Sequence, residues 1–388
     1  MTITCFLSPF LTPSYISFRT TLSLSSLGYP IYAAGLYVNS KHEDGRYEWA
    51  VYLGAIVCGI ASGFFWAVEG AVATGVGGEK RGSSRGRYIA TWNSLRYSAG
   101  ILGGVISLAV NHNNHHKGKV TSATYLVFIG IQCLGFFFAL FLSNPPQKPG
   151  TSGFSWGWRE EAKEMWKLGR SKSILLLSPL FWYFGWSQAY PGTYLATYFS
   201  VRSRALASLL SAIVGILSTW LIGTLLDLPL LSKNRYKRAR TTYLLIAILN
   251  SALWIWGLIL QNRYMHTKPV LDWSEQGPFA VGFGFYMLDR ICLSVVENFI
   301  YWCISNLSDE QGELIRYSSL LRGIETAGVA VGFGVQAVPT VLIGTVGINF
   351  GLWFFAVGLG LVGTGKVVRV FEEREREREW GVVERVGL

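Results

Sequence analysis

Long apolar runs separated by short polar breaks dominate the chain. A bilayer's hydrocarbon core of about 30 Å is crossed by roughly 20 mostly apolar helical residues. Windows of that kind with few charges occur at 21–38, 49–74, 88–110, 122–143, 174–200, 207–228, 242–262, 279–305, 318–339 and 345–368. Their apolar residues occupy most of the helical circumference, whereas the buried helices of a soluble protein are shorter and apolar on one side. The pattern predicts an all-α, polytopic membrane helical bundle of about ten transmembrane helices.

The longest internal hydrophilic stretch, 144–173, opens with Asn144-Pro145-Pro146 and Pro149-Gly150, which stop the fourth run. The expected organisation is therefore an N-terminal stub (1–20), an N-terminal bundle of four helices (21–143), a cytoplasmic central loop (144–173), a C-terminal six-helix bundle (174–368) and a charged cytoplasmic tail (369–388). Within the loop, Phe154, Trp158, Ala162, Met165, Trp166 and Gly169 recur at helical spacing opposite Arg159, Glu160, Glu161, Lys163 and Lys167. That spacing predicts a short amphipathic helix, either at the membrane surface or docked on the protein. The first 26 residues hold Pro9, Pro13 and one Arg, which is not the pattern of a signal peptide.

Charge adds direction to this picture. Only 15% of residues are charged, against roughly 25% in soluble proteins, and the net charge is +11. If the N-terminus is cytoplasmic, the inside segments hold 22 Lys or Arg and the outside segments 8. The positive-inside rule then places both termini in the cytosol. Three inside loops, around Lys80–Arg87, in 144–173 and at Lys233–Arg240, carry the whole surplus. It faces anionic lipid head groups of the bilayer, and no nucleic-acid partner is called for. The one sequon, Asn306-Leu307-Ser308, falls in an inside loop and is expected to stay unglycosylated.

Charges within the apolar runs are costly, roughly 2.5–3.5 kcal/mol each at a span's centre, so each needs a partner or a watery cavity. Asp289 and Arg290 lie in the eighth run, with Glu297 and Asn298 two turns later. Arg322 and Glu325 stand at i, i+3 in the ninth, a salt-bridge spacing. The two runs should be antiparallel neighbours, which makes a shared network of Glu297, Arg322 and Glu325 the expectation. It reads as a proton or ion relay or a gate, or as a locked cluster that holds helix packing. Glu69 lies towards the inner end of the second run, where it could also reach interfacial water. In the fifth run, Gln188, Tyr190 and Tyr194 stand among Trp182 and Trp186, with Pro191-Gly192 able to break the helix and free backbone groups for an organic ligand. Aromatic packing is the alternative there. The outside run His112 to His116 lacks a carboxylate or Cys partner and reads as a solvated loop. The five Cys residues are scattered, so neither a disulfide framework nor a metal site is expected. No cofactor and no enzymatic motif is found.

The stretches SLGYPIYAAGLYV (26–38), GAIVCGIASGFFWAVEGAVATG (54–75), RGRYIATWNSLRYSAGILGG (85–104) and GIETAGVAVGFGVQA (323–337) resemble the uncoordinated-ninety-three-like family of the major facilitator superfamily, in its fungal branch. The resemblance runs from about residue 26 to 368. It implies twelve helices in two six-helix halves with a substrate path between them. Against that pattern the first two of twelve helices are missing. Gly223-x-x-x-Asp227 resembles the superfamily's gating motif: Gly allows close helix approach, and the carboxylate holds a basic side chain or a helix's positive end. The implied function is a secondary transporter of an unknown small solute or ion, working by alternating access. The alternative is a non-transporting regulatory or trafficking partner of another membrane protein, since the family's animal members resemble a potassium-channel regulator and a trafficking escort for nucleic-acid-sensing receptors.

Overall fold

The computed structural model describes residues 1–11, 17–42, 45–74, 84–111, 122–142, 158–274, 276–338 and 342–386. The runs His112 to His116 and Lys80-Arg81 lie outside these. The described residues form fourteen helices: α1 (Thr2–Leu11), α2 (Phe18–Ser26), α3 (Gly28–Lys41), α4 (Glu48–Thr74), α5 (Arg85–Asn111), α6 (Ser122–Leu140), α7 (Trp158–Gly169), α8 (Lys172–Ser187), α9 (Ala189–Tyr198), α10 (Val201–Asp227), α11 (Arg235–Thr267), α12 (Gln276–Ser305), α13 (Gln311–Ala337) and α14 (Leu342–Val386).

Eight of the ten apolar runs fall on one helix each, and two are split. The run 21–38 breaks at Leu27, between α2 and α3, and the run 174–200 breaks at Gln188, between α8 and α9. Both breaks have one local cause. In Ser26-Leu27-Gly28-Tyr29-Pro30 and Ser187-Gln188-Ala189-Tyr190-Pro191 the proline has no N–H for the carbonyl of the serine four residues back. The N–H groups of Leu27 and Gln188 instead make tight bonds to the carbonyls of Leu24 and Gly185, at 3.3 Å each. Six helices among the described residues, α4, α6, α10, α11, α12 and α14, are singly long and apolar enough to cross a membrane. The helices α5 and α13 have the length but carry Arg96, Arg322 and Glu325 inside it.

Two further elements differ from the sequence reading. The segment read as a stub contains α1, which packs between α4 and α13 and buries Cys5 and Ser8. The tail does not separate from the last span, because α14 continues unbroken through the EEREREREW stretch. The loop helix α7 docks on the protein through buried Glu161, Met165 and Leu168, spaced four and three apart, while Trp158 and Trp166 stay exposed.

Packing runs through close backbone contacts. Along α5 and α10, a Cβ on Gly86 would lie 2.6 Å from the Gly223 carbonyl oxygen, and one on Gly104 would lie 2.6 Å from the Leu209 Cα. Small residues at these crossings let two helices touch over their whole length. Thus α5 lies mainly against α10 and α12, whereas α2, α3, α4 and α6 pack on one another, and α8 to α14 form the larger set. The outer surface is apolar, with Ile56, Phe138, Leu217, Ile248, Ile259 and Phe354 exposed, while Asp289, Glu297, Arg322 and Glu325 are buried. Apolar outside and charged inside is the distribution that lipid imposes.

Candidate functional site

The buried charges gather where α4, α5, α12 and α13 meet. Arg322 Nη1 donates to both oxygens of Glu325, at 3.0 and 2.8 Å, and Gln188 Nε2 donates to Glu325 Oε1 at 3.2 Å. The break at Gln188 is what turns that amide from the α8–α9 junction towards α13. Glu297 on α12 does not bond to Arg322 as expected from sequence. Its Oε2 accepts from Arg96 Nη2 on α5 and from the Tyr97 hydroxyl at 3.3 Å, and Tyr97 also meets Ser294 Oγ at 2.9 Å. Arg96 is closer because α5 lies directly against α12, whereas Arg322 is taken by the carboxylate one turn along its own helix. Glu297, Arg322 and Glu325 remain within electrostatic reach of one another, so they share one cluster with two separate pairs.

Aromatic rings enclose both guanidiniums. Arg96 sits 5.1 Å from the Trp92 ring centre and 5.8 Å from that of Trp66. Arg322 sits 5.0 Å from Trp66 and 5.1 Å from Tyr301. Such cation–π contacts strengthen when water is excluded. Glu69, three residues along α4 from Trp66, lies within electrostatic reach of Arg96, Arg322 and Glu297. Its side chain is half-buried, and its Oε2 atom is shut off from the surface.

The other predicted residues lie near or apart. Asp289 Oδ2 accepts from Arg290 Nη2 at 2.5 Å and Nε at 2.9 Å, a self-contained neighbour pair on α12. Asn298 Nδ2 donates to the Thr219 carbonyl at 3.1 Å and to its hydroxyl, tying α12 to α10. Tyr190 is not beside Gln188 in the cluster. The helical turn after the break points it into the core of the α8–α14 set, where its hydroxyl donates to Gln261 Oε1 at 3.0 Å. Tyr194 likewise donates to the Gly282 carbonyl at 3.0 Å.

Gly223 and Asp227 form a second centre at one end of the bundle. Asp227 Oδ1 accepts from the Gly86 N–H at 2.9 Å and Oδ2 from the Arg87 N–H at 2.7 Å, so the carboxylate caps the positive end of α5. Gly223 touches Gly86 backbone to backbone, which is why no side chain fits at either position. At the same end Asp309 accepts from Arg85 at 2.5 Å and from Arg374 at 3.0 Å, and Glu161 takes Arg316 at 2.7 and 2.8 Å. Asn306 of the sequon is buried there, its Nδ2 donating to the Trp302 carbonyl at 2.6 Å. Sequence reasoning missed Arg96, Tyr97, Trp66, Trp92 and Tyr301. Arg96 carried the same signal as Arg322, a charge inside an apolar run.

A family model described as "Ion channel regulatory protein UNC-93" matches residues 1–262. The chain belongs to the UNC-93 family. It is 35% identical over 351 residues to "Notoamide biosynthesis cluster protein O'" of Aspergillus versicolor, covering 88% of this chain and 73% of that one. An UNC93-like protein of Schizosaccharomyces pombe is 28% identical, covering 81% of this chain and 64% of its own length, so this member spans about two thirds of those relatives. Among solved structures, the Escherichia coli fucose:proton symporter FucP aligns with a TM-score of 0.62 at 12% identity, over 94% of this chain and 87% of that one. The human organic anion transporter MFSD10 aligns with 0.58 at 13% identity, over 92% and 81%. The fold of this UNC-93 member is that of major facilitator superfamily transporters, in a multi-pass membrane protein. The family's description is that of a regulator, and the fold is one found in membrane transporters.

Proposed function

We propose that this UNC-93 member is a secondary transporter working by alternating access, with the path running past Glu69, Arg96, Glu297, Arg322 and Glu325. One observation carries the reading. Among the charged side chains gathered where α4, α5, α12 and α13 meet, Glu69 and Arg322 keep buried atoms without partners, which is a poor way to build a static core but suits a seam that opens and re-forms. The Gly223–Asp227 centre is the latch of one end. Opening that end requires Asp227 to release the α5 N-terminus and Gly86 to leave Gly223. The basic stretch Lys233–Arg240, which follows Asp227 in the chain, supports a cytosolic placement of this end, with both chain termini on that side.

The solute is an unknown small solute or ion. The Aspergillus versicolor relative named for a notoamide biosynthesis cluster makes small organic molecules the first class to assay. Purified protein in liposomes is offered a panel of radiolabelled amines, sugars and organic acids. Uptake of one member that is lost in Glu297→Gln and in Arg322→Ala supports transport. The family description, an ion channel regulatory protein, favours a second reading as a non-transporting membrane partner. Co-purification of a stoichiometric membrane protein, with no uptake of any panel member, would establish it instead.

A further inference from the structure

We propose that Glu69 is a proton-binding site, and that its proton decides whether α4 and α13 are joined by an ion pair. The consequence for solute coupling rests on the transporter reading; the site itself does not.

Two guanidiniums and three carboxylates meet in the cluster, so one negative charge is in excess. The hydrogen bonds show which carboxylate carries it. Glu297 accepts from Arg96 and Tyr97, and Glu325 accepts from Arg322 and Gln188. Glu69 Oε2 has no hydrogen-bond partner among the described residues. On the opposite side, Arg322 is 3% exposed and uses only Nη1, while its Nε and Nη2 and the Tyr301 hydroxyl are buried without partners. A carboxylate on α4 that keeps one oxygen without a partner thus lies within electrostatic reach of Arg322 on α13, which keeps two donors without partners, with the unpartnered Tyr301 hydroxyl on α12 beside Arg322.

Two arrangements resolve the mismatch. A proton on Glu69 removes the excess charge and leaves Arg322 with Glu325, the pairing seen here. Without the proton, Glu69 is the acceptor that the free Nε–Nη2 edge of Arg322 lacks, and the new ion pair ties α4 to α13. Backbone approach permits this, since a Cβ on Gly70 would lie only 3.5 Å from the Ser318 Cβ and 3.6 Å from Tyr301 Oη. A metal cation fits poorly, because the neighbours of Glu69 are guanidiniums and indoles rather than oxygen ligands. The charged and titratable groups around Glu69 are Arg96 and Tyr97 on α5, Glu297 and Tyr301 on α12, and Arg322 and Glu325 on α13. Tyr29 on α3 and Cys5 on α1 complete the set.

The full chain in lipid nanodiscs is titrated from alkaline to acid buffer while infrared difference spectra follow the carbonyl stretch of protonated carboxyl groups. The expected result is a band that titrates in the wild type, disappears in Glu69→Gln and persists in the tail control Glu373→Gln. Glu69→Asp, which keeps the carboxyl group, moves the midpoint and serves if the Gln variant fails to fold. A band unaffected by either Glu69 substitution, the absence of any such band, or its collapse on exchanging potassium for sodium buffer would overturn the proposal. Proton binding without uptake of any solute would leave this site standing and remove only the transporter reading.

Discussion

Two polar regions of the molecule are built to opposite standards. In the core of the α8–α14 set, Trp254 Nε1 donates to the Tyr183 hydroxyl at 2.7 Å, which donates to Asn250 at 3.2 Å. Gln261 accepts from Tyr190 at 3.0 Å and donates to Tyr198 at 2.7 Å. These groups are neutral and paired within one packing unit. At the seam between α4, α5, α12 and α13 the groups are charged, and Glu69, Tyr301 and Arg322 keep unpaired atoms. A satisfied neutral network holds one structure, whereas a charged one with spare donors and acceptors supports more than one pairing at similar energy. The contrast marks the seam, rather than this tyrosine–amide network, as the place where alternative pairings are available.

The sharpest way to break that contrast is to remove one charge from the seam. Arg322→Ala leaves Glu325 buried against Gln188 alone, and an uncompensated buried charge costs about 3–5 kcal/mol. The expected outcome is a large drop in thermal stability in detergent. The double substitution Arg322→Met with Glu325→Met removes both charges and should recover most of the stability, yet show no solute uptake. Recovered uptake would mean that the pair serves packing only.

At the latch the expected effect is smaller. Gly86→Ala places a methyl group 2.6 Å from the Gly223 carbonyl oxygen, so α5 and α10 must separate there. Overpacking of this kind costs roughly 1–3 kcal/mol. Spin labels on exposed Thr91 and Lys233 should report a longer distance in Gly86→Ala and in Asp227→Asn than in the wild type. An unchanged distance would show that the α5 N-terminus is held by other contacts, such as Arg85 with Asp309.

The core supplies the complementary case. Tyr190→Phe leaves Gln261 Oε1 without its donor, a loss of about 1–2 kcal/mol. Stability should fall by that amount while solute uptake is retained, because Tyr190 faces away from the seam. Loss of uptake at unchanged stability would return Tyr190 to the path.

How far the sequence discloses these regions follows from what each signal measures. Apolar runs locate helices, because lipid imposes a length and a composition. Runs alone do not reveal the breaks at Leu27 and Gln188, which depend on a proline three residues on. The contact of Asp227 with the α5 N-terminus was legible, since Gly at one turn's distance from a helix-ending carboxylate has a specific geometric use. Partner choice in the seam was not. Arg322 and Glu325 follow from i, i+3 spacing on one helix, but Arg96 with Glu297 depends on α5 leaning on α12, a contact 201 residues apart in sequence. Tyr190 shows the reverse error. An aromatic wall in one run looks the same whether it faces a path or a core, and only the turn after Gln188 decides which.

The smallest effect is expected outside the bilayer, where Asp272 clasps the start of α10 to the α11–α12 loop. Its carboxylate accepts from Arg202 Nε at 2.8 Å, from Ser200 at 2.5 Å and from Ser274 Oγ at 2.6 Å, beside the parallel bridge of Phe199 and Leu271. Hydrogen bonding to Arg202 first, and to the serines next, holds this carboxyl well below the usual carboxylate range. A depressed folded-state pKa gives stability that is complete above the unfolded value of about 3.9 and is lost as pH falls through the folded value. Asp272→Asn should therefore lower the unfolding temperature at neutral pH, by an amount corresponding to about 1 kcal/mol. The gap between variant and wild type should stay constant down to about pH 4 and narrow only below it. Because the clasp lies within the α8–α14 set, the substitution should leave the Thr91–Lys233 distance unchanged. A changed distance would mean that the two ends of the molecule are coupled through α10, and the contrast between core and seam would fail.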